Sequence, residues 1–312
     1  MSPRVTVAIL TFNGEKHIGD ILSALEVQQY DGEFDVLVID SGSSDHTLEI
    51  IASHPSVRLH EIPNAEFGHG RTRNLAARLA TGDIVVYLTH DAVPLGVRWL
   101  EAMVAPFNHD EVAAVLGRQV ARASAPPLLK YDIDRVFQRQ GRAGDVTLHR
   151  ADGAGTESPI RRIATFYSDS AAAARRKILL GPIPYSDVAY AEDQVFGRAV
   201  IDAGLTKAYA GNATVEHSND GTLREFGERI AADLIGLRSI GTEVPTVSRF
   251  VAFRQWVKWS IVDTGRILVD PGYGLGRSLY WLVMNPIYHA VKWSSYRRAS
   301  LQPLNPAVPD EA

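Results

Sequence analysis

The first residues that could do chemistry follow a short apolar run. Residues 84–88 are long enough for a buried strand, and Thr89, His90 and Asp91 come directly after them, where a core strand cannot continue. In open α/β sheets, ligands bind in the crevice beyond the carboxyl ends of the strands. Asp91 is therefore a candidate ligand-binding carboxylate. The alternative is that Asp91 only caps the turn made by residues 92–94.

Two earlier segments of the chain have a similar pattern. Residues 5–11 form a β-branched apolar run, residues 34–39 form a second run that ends at Asp40, and a helical pattern lies between them. A strand–helix–strand unit of this kind leaves the turns after both strands at one edge of a parallel sheet. We therefore expect Thr11, Asp40 and Asp91 to line one crevice.

Basic residues occupy the start of a further predicted helix, residues 71–79. Its first turn holds Arg71 and Arg73. Cations at a helix N-terminus oppose the helix dipole, so their placement needs another reason. Either an anion lies nearby, or the arginines form a solvated face.

Two acids open another helical pattern. Glu192 and Asp193 stand where the helix dipole favours negative charge, so capping alone would explain them. A carboxylate can also accept a proton from an attacking hydroxyl group, which makes Asp193 a candidate general base. Downstream, His217 ends a predicted strand, residues 207–217. A lone histidine is more often structural than a ligand.

The composition excludes several classes of function. The chain has 312 residues, enough for one large domain with an appendage or for two domains. A net charge of -4 argues against a general nucleic-acid-binding protein. Because there is no cysteine, a metal site would use oxygen and imidazole ligands. The absence of cysteine and of a signal-peptide pattern fits a cytoplasmic protein.

The last third of the chain changes character. Residues 249–298 contain eight basic residues against two acidic ones, together with four of the five tryptophans. Amphipathic helices of this composition are typical of segments that lie on a membrane surface. No apolar run reaches the roughly 20 residues needed to span a bilayer. The alternative is a helical appendage that packs on the catalytic domain or on a second subunit.

Four motifs in order carry a resemblance to a known family. ILTFN, VIDSGSSDHT, FGHGRTRNLAARLATGD and YLTHDAVP resemble the nucleotide-sugar half of inverting family 2 glycosyltransferases with a GT-A fold, over roughly residues 4–220. More narrowly, FGHGRTRN followed by LTHDAVP resembles the bacterial rhamnosyltransferase group. The resemblance implies an α/β fold: a Rossmann-like mixed, mostly parallel sheet flanked by helices, with a C-terminal α-helical appendage. We expect a catalytic domain at residues 1–220, a helical region at 221–300 and a disordered tail at 301–312.

The resemblance also implies a role for each candidate residue. Asp193 would be the catalytic base with Glu192 supporting it, and Asp91 and His217 would hold a divalent cation, Mg²⁺ or Mn²⁺. The element around Asp91 departs from the family's Asp-x-Asp motif, because His90 stands before Asp91 and a second acid is absent. The expected nucleotide-sugar-binding residues are Thr11, Phe12, Asp40, Arg71, Arg73 and His90.

The implied function is transfer of a sugar, foremost L-rhamnose from dTDP-L-rhamnose, to a hydroxyl group of a lipid-linked or polysaccharide acceptor in cell-envelope glycan synthesis. One alternative keeps the fold with a UDP-sugar donor: galactofuranose, GlcNAc or glucose. Another is a non-catalytic nucleotide-sugar-binding protein. The expected location is the cytoplasm, with peripheral contact at the inner face of the membrane. An anionic membrane surface and a homo-oligomer are the expected partners besides the substrates, and nucleic acid is not.

Overall fold

The structure is a computed structural model that describes residues 2–151, 158–218 and 221–303. Its strands are Val5–Thr11 (β1), Phe34–Asp40 (β2), Val57–Glu61 (β3), Ile84–Thr89 (β4), Val93–Pro94 (β5), Val112–Val120 (β6), Val146–His149 (β7), Ala171–Arg175 (β8) and Thr206–Glu216 (β9). Its α-helices are Ile18–Glu26 (α1), Thr47–Ala52 (α2), His69–Leu79 (α3), Trp99–Val104 (α4), Pro127–Gln140 (α5), Pro159–Thr165 (α6), Arg176–Leu179 (α7), Glu192–Asp202 (α8), Leu223–Ser239 (α9), Arg249–Val269 (α10) and Leu275–Leu301 (α11).

The strands of the described residues form one mixed sheet in the order β3-β2-β1-β4-β8-β6-β9-β5, with β7 also beside β9. The first four strands are parallel, which confirms the predicted strand–helix–strand unit at the start of the chain. Strand β8 is antiparallel to both of its neighbours, β4 and β6. Strand β9 is parallel to β6 and antiparallel to β5 and β7.

Helices cover both faces of the sheet. Its central strands carry apolar side chains on both sides, and the helices bury these side chains. All seven residues of β1 are buried. One face packs against Ile21, Leu25 and Trp99, which lie on α1 and α4. The other face packs against Ala76 of α3 and Phe196 of α8. The sheet and its two helical layers are the mixed α/β architecture that the sequence predicts.

The chain divides into two compact units. One comprises Met1–Arg122 with Ile133–Ser218, and the other comprises Ala123–Asp132 with the chain after Ser218. The predicted boundary at residue 220 did not include the short segment 123–132 in the helical unit. The segment belongs there because Leu128 and Tyr131 pack in that unit's own core.

Helices α9, α10 and α11 make up most of the second unit. Thr222 caps α9 through a reciprocal pair of hydrogen bonds with Glu225, a capping box, as expected of a threonine at that position. Tyr288 and Trp281 of α11 share the unit's core with Ile267 of α10. In the described part of the chain, no helix is both long and apolar enough to cross a membrane.

The middle of the chain contains a strand that apolar periodicity does not indicate. Residues 141–159 mix Gly, Asp, Thr and Arg without such periodicity, but β7 lies within them and pairs with β9. The sequence of this strand shows no buried apolar pattern, because its larger apolar side chains, Val146 and Leu148, are exposed. Main-chain hydrogen bonds to a neighbouring strand leave no apolar signal. Residues 152–157 of that segment lie outside the described residues, as do residues 304–312 of the expected tail.

Candidate active site

The turns after β1 and β2 build the first part of the site. Asp40 is buried at the end of β2, where its carboxylate accepts hydrogen bonds of 2.9 Å from the Gly42 and Ser43 N–H groups and one of 2.5 Å from Ser43 Oγ. Ser43 Oγ in turn accepts a bond from the N–H of Asn13, which follows β1. These bonds fix the Asp40 carboxylate at the carboxyl edge of the sheet. Asn13 was not singled out in the sequence, although its positive φ of 48° marks a constrained turn.

The predicted nucleotide-side residues from β1 and β4 lie close to each other. Thr11 is buried and 44% of Phe12 is exposed. A Cβ atom on Gly14 would lie 2.6 Å from Thr11 Oγ1 and 3.2 Å from His90 Cβ, so only glycine fits between the two turns. Among the described residues, the buried Thr11 Oγ1 has no hydrogen-bond partner.

Asp91 and His217 face each other across the same edge. Strand β5 follows Asp91 and pairs with the end of β9, Val93 with Glu216, which brings the residue after β9 to Asp91. His217 Nε2 is 3.3 Å from Asp91 Oδ2. Burial alone would raise the pKa of Asp91, but the hydrogen bond and charge of His217 hold the pKa of that carboxyl well below its usual range.

The orientation of His217 is fixed from its other side. His217 Nδ1 is 3.2 Å from Gln119 Oε1, and Gln119 Nε2 donates to Ser168 Oγ at 2.9 Å. Because an amide oxygen can only accept, Nδ1 carries the proton and Nε2 points to the Asp91 carboxylate. A proton or a cation must therefore lie between Nε2 and Oδ2.

A metal ion fits this pair. Two adjacent ligands of an octahedral Mg²⁺ at 2.0–2.1 Å are about 3.0 Å apart, close to the 3.3 Å observed between His217 Nε2 and Asp91 Oδ2. The described residues contain no group of three or more His, Cys, Asp or Glu side chains that could hold a metal ion. An ion here would take its other ligands from substrate oxygens and water.

Arg122 joins the two halves of this pair and was not predicted. Its side chain is buried, with Nη1 donating to Ser218 O at 2.5 Å and Nη2 donating to the Asp91 carbonyl oxygen. Its N–H donates to Ser218 Oγ at 3.2 Å. Arg122 thus fixes the main chain beside both Asp91 and His217. It lies in a segment with little apolar periodicity, so no sequence pattern pointed to it.

A second cluster of charges lies at the same sheet edge. Leu88 pairs with Ala171 at the end of the β4–β8 ladder, so His90 and Asp169 lie just beyond it. Asp169 is buried and accepts a hydrogen bond of 2.7 Å from the Tyr185 hydroxyl group. Burial, the largest cause, and the charge of Glu192 raise the pKa of Asp169 to about 6, against the opposing charge of Arg73.

Arg73 has a different set of partners from the predicted diphosphate. Its guanidinium group is buried, with Nε 2.7 Å from Asp169 Oδ2 and Nη1 bonded to Glu192 Oε1 and to the His69 carbonyl oxygen. Arg71, by contrast, is half-exposed, and its Nη2 is 3.0 Å from Asp187 Oδ2. Neither arginine is a free cation in this structure.

Asp193 follows Glu192 in the first turn of α8. Its Oδ1 accepts a hydrogen bond of 2.7 Å from the N–H of Gln194. Burial, followed by the charges of Asp169 and Glu192, raises the pKa of Asp193 to about 8, against the opposing charge of Arg73. A carboxylate with that pKa is a much stronger base than an exposed one, and it titrates close to neutral pH.

Helix α8 begins from a strained residue. Ala191, directly before Glu192, has φ 58° and ψ 35°, which is the left-handed region that disfavours residues with a Cβ atom. Such strain persists where the surrounding structure over-determines the backbone, and it is common at functional sites. The left-handed turn sets the direction in which the acids of α8 point.

Comparisons with known proteins identify the family of the chain. Residues 6–180 match the sequence model described as Glycosyl transferase family 2. The chain is 30% identical over 229 residues to the O-antigen chain rhamnosyltransferase RfbN of Salmonella typhimurium, covering 72% of this chain and 70% of that protein. It is 32% identical over 231 residues to the O-antigen chain rhamnosyltransferase WbaN of Salmonella anatum, with 73% and 70% covered.

Solved structures share the fold at low sequence identity. The mannosyltransferase PcManGT of Pyrobaculum calidifontis, in complex with GDP-Man and Mn²⁺, superposes with a TM-score of 0.61 at 18% identity, covering 96% of this chain and 86% of that one. TarS of S. aureus in complex with UDP-GlcNAc superposes with a TM-score of 0.55 at 16% identity, covering 95% and 90%. The described architecture is therefore a GT-A fold with C-terminal helices.

Proposed function

The chain belongs to glycosyl transferase family 2, and we propose that it transfers L-rhamnose from dTDP-L-rhamnose, with inversion, to a hydroxyl group of a lipid-linked or polysaccharide acceptor in cell-envelope glycan synthesis. The choice of sugar rests on the relatives that are 30% and 32% identical, both of which are O-antigen chain rhamnosyltransferases.

One observation supports a catalytic role over simple binding. The candidate site contains two carboxylates, one at the sheet edge and one in the first turn of α8, whose environments push their pKa values in opposite directions. Asp91, facing His217, has a pKa well below its usual range, whereas the pKa of Asp193 is raised to about 8. Paired groups of this kind mark the division of labour between charge stabilisation and proton transfer. A binding protein needs no group of the second kind.

In the proposed reaction, Asp193 accepts the proton of the acceptor hydroxyl group. The acceptor oxygen then forms a bond to the anomeric carbon of the sugar, while the bond from that carbon to the diphosphate oxygen breaks on the opposite face. Nucleoside diphosphate leaves with the bonding electron pair. Glu192 holds Arg73, and it therefore positions the start of α8 rather than taking the proton itself.

Asp91 and His217 are the proposed ligands of a divalent cation, Mg²⁺ or Mn²⁺. When bound, such an ion neutralises the charge that develops on the departing diphosphate. Their 3.3 Å separation and the fixed orientation of His217 support this assignment. An imidazole ligand favours Mn²⁺ over Mg²⁺.

The proposed donor pocket lies between the turns after β1 and β2. Asp40 would contact the nucleobase, with Thr11 and Phe12 beside it, and the orphaned Thr11 Oγ1 supports a polar ligand at this place. His90 and Arg71 would lie toward the diphosphate. Arg71 would reach the diphosphate only after its ion pair with Asp187 breaks. Breaking a half-exposed ion pair costs little free energy.

The proposed acceptor also implies a location. Because a lipid-linked acceptor is held in a membrane and the donor is dissolved in the cytoplasm, we propose that the enzyme works at the inner face of the cell membrane. A homo-oligomer is a further proposal, which light scattering of the full chain would test.

Release of nucleoside diphosphate from a panel of nucleotide sugars tests the proposed donor. With Mn²⁺ present and no acceptor, we expect slow hydrolysis of dTDP-L-rhamnose to exceed that of UDP-galactofuranose, UDP-GlcNAc and UDP-glucose. A preference for any UDP-sugar would overturn the proposed donor. Asp193→Asn should bind the donor as wild type does, yet turn over roughly a hundredfold or more slowly once an acceptor is supplied.

A further inference from the structure

Helices α10 and α11 form a hairpin with polar contacts between its two arms. They run in opposite directions because the short segment 270–274 joins them. Asn285 Nδ2 donates to the Ser260 carbonyl oxygen at 3.0 Å, and His289 Nε2 is 2.9 Å from Asp263 Oδ2. Both Asp263 and His289 are buried. These contacts show which side of each helix faces the other.

An apolar stripe on α10 has no cover in the described structure. Its residues recur at helical spacing and are exposed to extents between 36% and 73%. The stripe comprises Phe250, Phe253, Val257, Ile261 and Leu268.

Helix α11 carries a second exposed apolar stripe, made of Leu275, Leu279, Val283 and Ile287. Around each helix axis, the stripe is rotated by about a quarter turn from the residues that contact the other helix. In both helices this rotation is in the direction in which the helix winds from its N-terminus to its C-terminus. Because the helices are antiparallel, the two quarter turns point to the same side of the hairpin. We call this combined surface the apolar face.

The opposite side of the hairpin is the packed one. Trp281 and Tyr288 of α11 are buried there in the core that also contains Tyr131. The hairpin thus already has a buried face, and the apolar face is additional to the core of the second unit. Exposed apolar surface of this extent marks an interaction site in a well-folded protein.

The charged side chains of the hairpin that border the apolar face are positive. Arg254 and Lys258 of α10 are exposed and border the stripe, and neither has an acidic partner among the described residues. Residues 249–301 contain only two acids. Asp263 is buried against His289, and Asp270 bonds with Lys130 and Tyr131, so neither acid lies on the apolar face.

We propose that the apolar face docks on an anionic phospholipid bilayer, with its aliphatic and phenyl side chains in the acyl-chain boundary and Arg254 and Lys258 at the lipid phosphates. Arginine and lysine beside an apolar helix face are the complement of such a surface. The hairpin lies in the plane of the interface, since neither of its helices is apolar enough to span the membrane.

A second copy of the chain fits this face less well. A two-fold dimer places the same surface on both subunits, so each copy would bring cations without acids to the contact. A bilayer that contains anionic lipid supplies both the apolar phase and the negative charge. The charge pattern of the face therefore favours a lipid surface.

Flotation of the full chain with vesicles tests the proposal, using phosphatidylcholine alone and phosphatidylcholine mixed with phosphatidylglycerol. We expect salt-sensitive binding to the mixed vesicles. The double variant Arg254→Gln/Lys258→Gln should lose about 30-fold in partition coefficient, which corresponds to two charges at about 1 kcal/mol each. Ile261→Ser should lose at least about tenfold, because a buried isoleucine contributes 1.5–3 kcal/mol.

Matched variants separate docking from net charge and from general hydrophobicity. Arg224→Gln/Arg229→Gln removes two exposed cations from α9, and Ile160→Ser removes an aliphatic side chain that is 62% exposed on α6. Both should bind mixed vesicles as wild type does. Thermal unfolding of every variant checks that the fold is retained.

Two results would overturn the proposal. One is equal or negligible flotation of the wild-type chain with both kinds of vesicle. The other is a dimer by light scattering that Ile261→Ser dissociates while vesicle binding stays absent, since the apolar face would then be a subunit interface. The assay uses neither donor nor acceptor, so its failure would leave the proposed reaction untouched.

Discussion

Replacing Asp169 with asparagine isolates the electrostatic environment of the proposed base. Asp193 must be ionised to accept a proton, and its pKa is raised to about 8, first by burial and then by the charges of Asp169 and Glu192. With that pKa, about a tenth of the free enzyme is ionised at pH 7. The value of kcat/KM should therefore rise about tenfold per pH unit below pH 8 and level off above it, because kcat/KM reports the free enzyme.

Asp169→Asn removes one negative charge and keeps the side chain's shape and its acceptor oxygen for Tyr185. Loss of a neighbouring negative charge lowers the pKa of Asp193, so the acid limb of the profile moves to lower pH. A fall of one unit would raise the ionised fraction at pH 7 from about a tenth to about a half. The plateau at high pH should fall, since a carboxylate with a lower pKa is a weaker base.

The assay is kcat/KM for the donor between pH 5.5 and 9.5, over a range chosen to bracket the expected limb at about 8. Asp202→Asn is a matched control, because Asp202 ends the same helix about 13 Å along its axis from Asp193 and pairs with Arg161. Its limb should coincide with that of wild type. Two results would refute the claim that the charge of Asp169 raises the pKa of the base Asp193. One is a wild-type pH profile of kcat/KM without an acid limb, and the other is an acid limb that stays at the same pH in Asp169→Asn.

Three further predictions concern the cation, a close approach and a strained turn. Asp91→Ala should abolish Mn²⁺-stimulated donor binding in calorimetry and His217→Ala should weaken it, whereas full activity in excess chelator would contradict a metal role. Gly70→Ala should lower the free energy of unfolding, measured in urea, by about 1–3 kcal/mol, because the added Cβ atom would lie 2.1 Å from a main-chain oxygen. Gly265 is a helical position with open space around it, so Gly265→Ala should raise the free energy of unfolding by about 0.5–1 kcal/mol. Ala191→Gly should raise the free energy of unfolding by up to about 1 kcal/mol, because glycine adopts a positive φ without the steric cost of a Cβ atom. A lower free energy of unfolding would contradict strain at this position.

The buried strands were predictable from the sequence for a simple reason. Strands covered on both faces appear as continuous apolar runs, and residues 5–11 and 34–39 are of this kind. The residue that ends such a run must lie at the sheet edge, so Asp40 and Asp91 could be assigned to the crevice without knowing the sheet order.

The direction of β8 could not be predicted in the same way. Its run of four buried alanines carries no signal of strand orientation. Because β8 is antiparallel to β4, the residues that precede it, including Asp169, lie at the edge where the parallel strands end. Asp169 was overlooked since an acid before a strand would lie at the opposite edge if that strand were parallel.

The arginines of the FGHGRTRN motif show that a cation at the start of a helix can indicate a nearby negative charge without identifying its source. Cations at the start of α3 require an anion nearby, and the structure supplies that anion from the protein itself. Arg71 pairs with Asp187, and Arg73 lies between Asp169 and Glu192. The sequence left open whether an anion lies near these arginines or whether they form a solvated face, and it could not distinguish a bound diphosphate from carboxylates that lie far away along the chain.

These pairs give the motif a structural reason to hold the proposed base. Asn74 of the same helix turn donates to the Tyr185 carbonyl oxygen at 2.8 Å and accepts from its N–H at 2.9 Å. With Arg71 bound to Asp187 and Arg73 bound to Glu192, one turn of α3 fixes the segment that leads into α8 at three points. Asp193 follows directly in the chain, so a lysine at position 73, which lacks the planar fork of arginine, would leave one of the two buried carboxylates without a partner and displace the base.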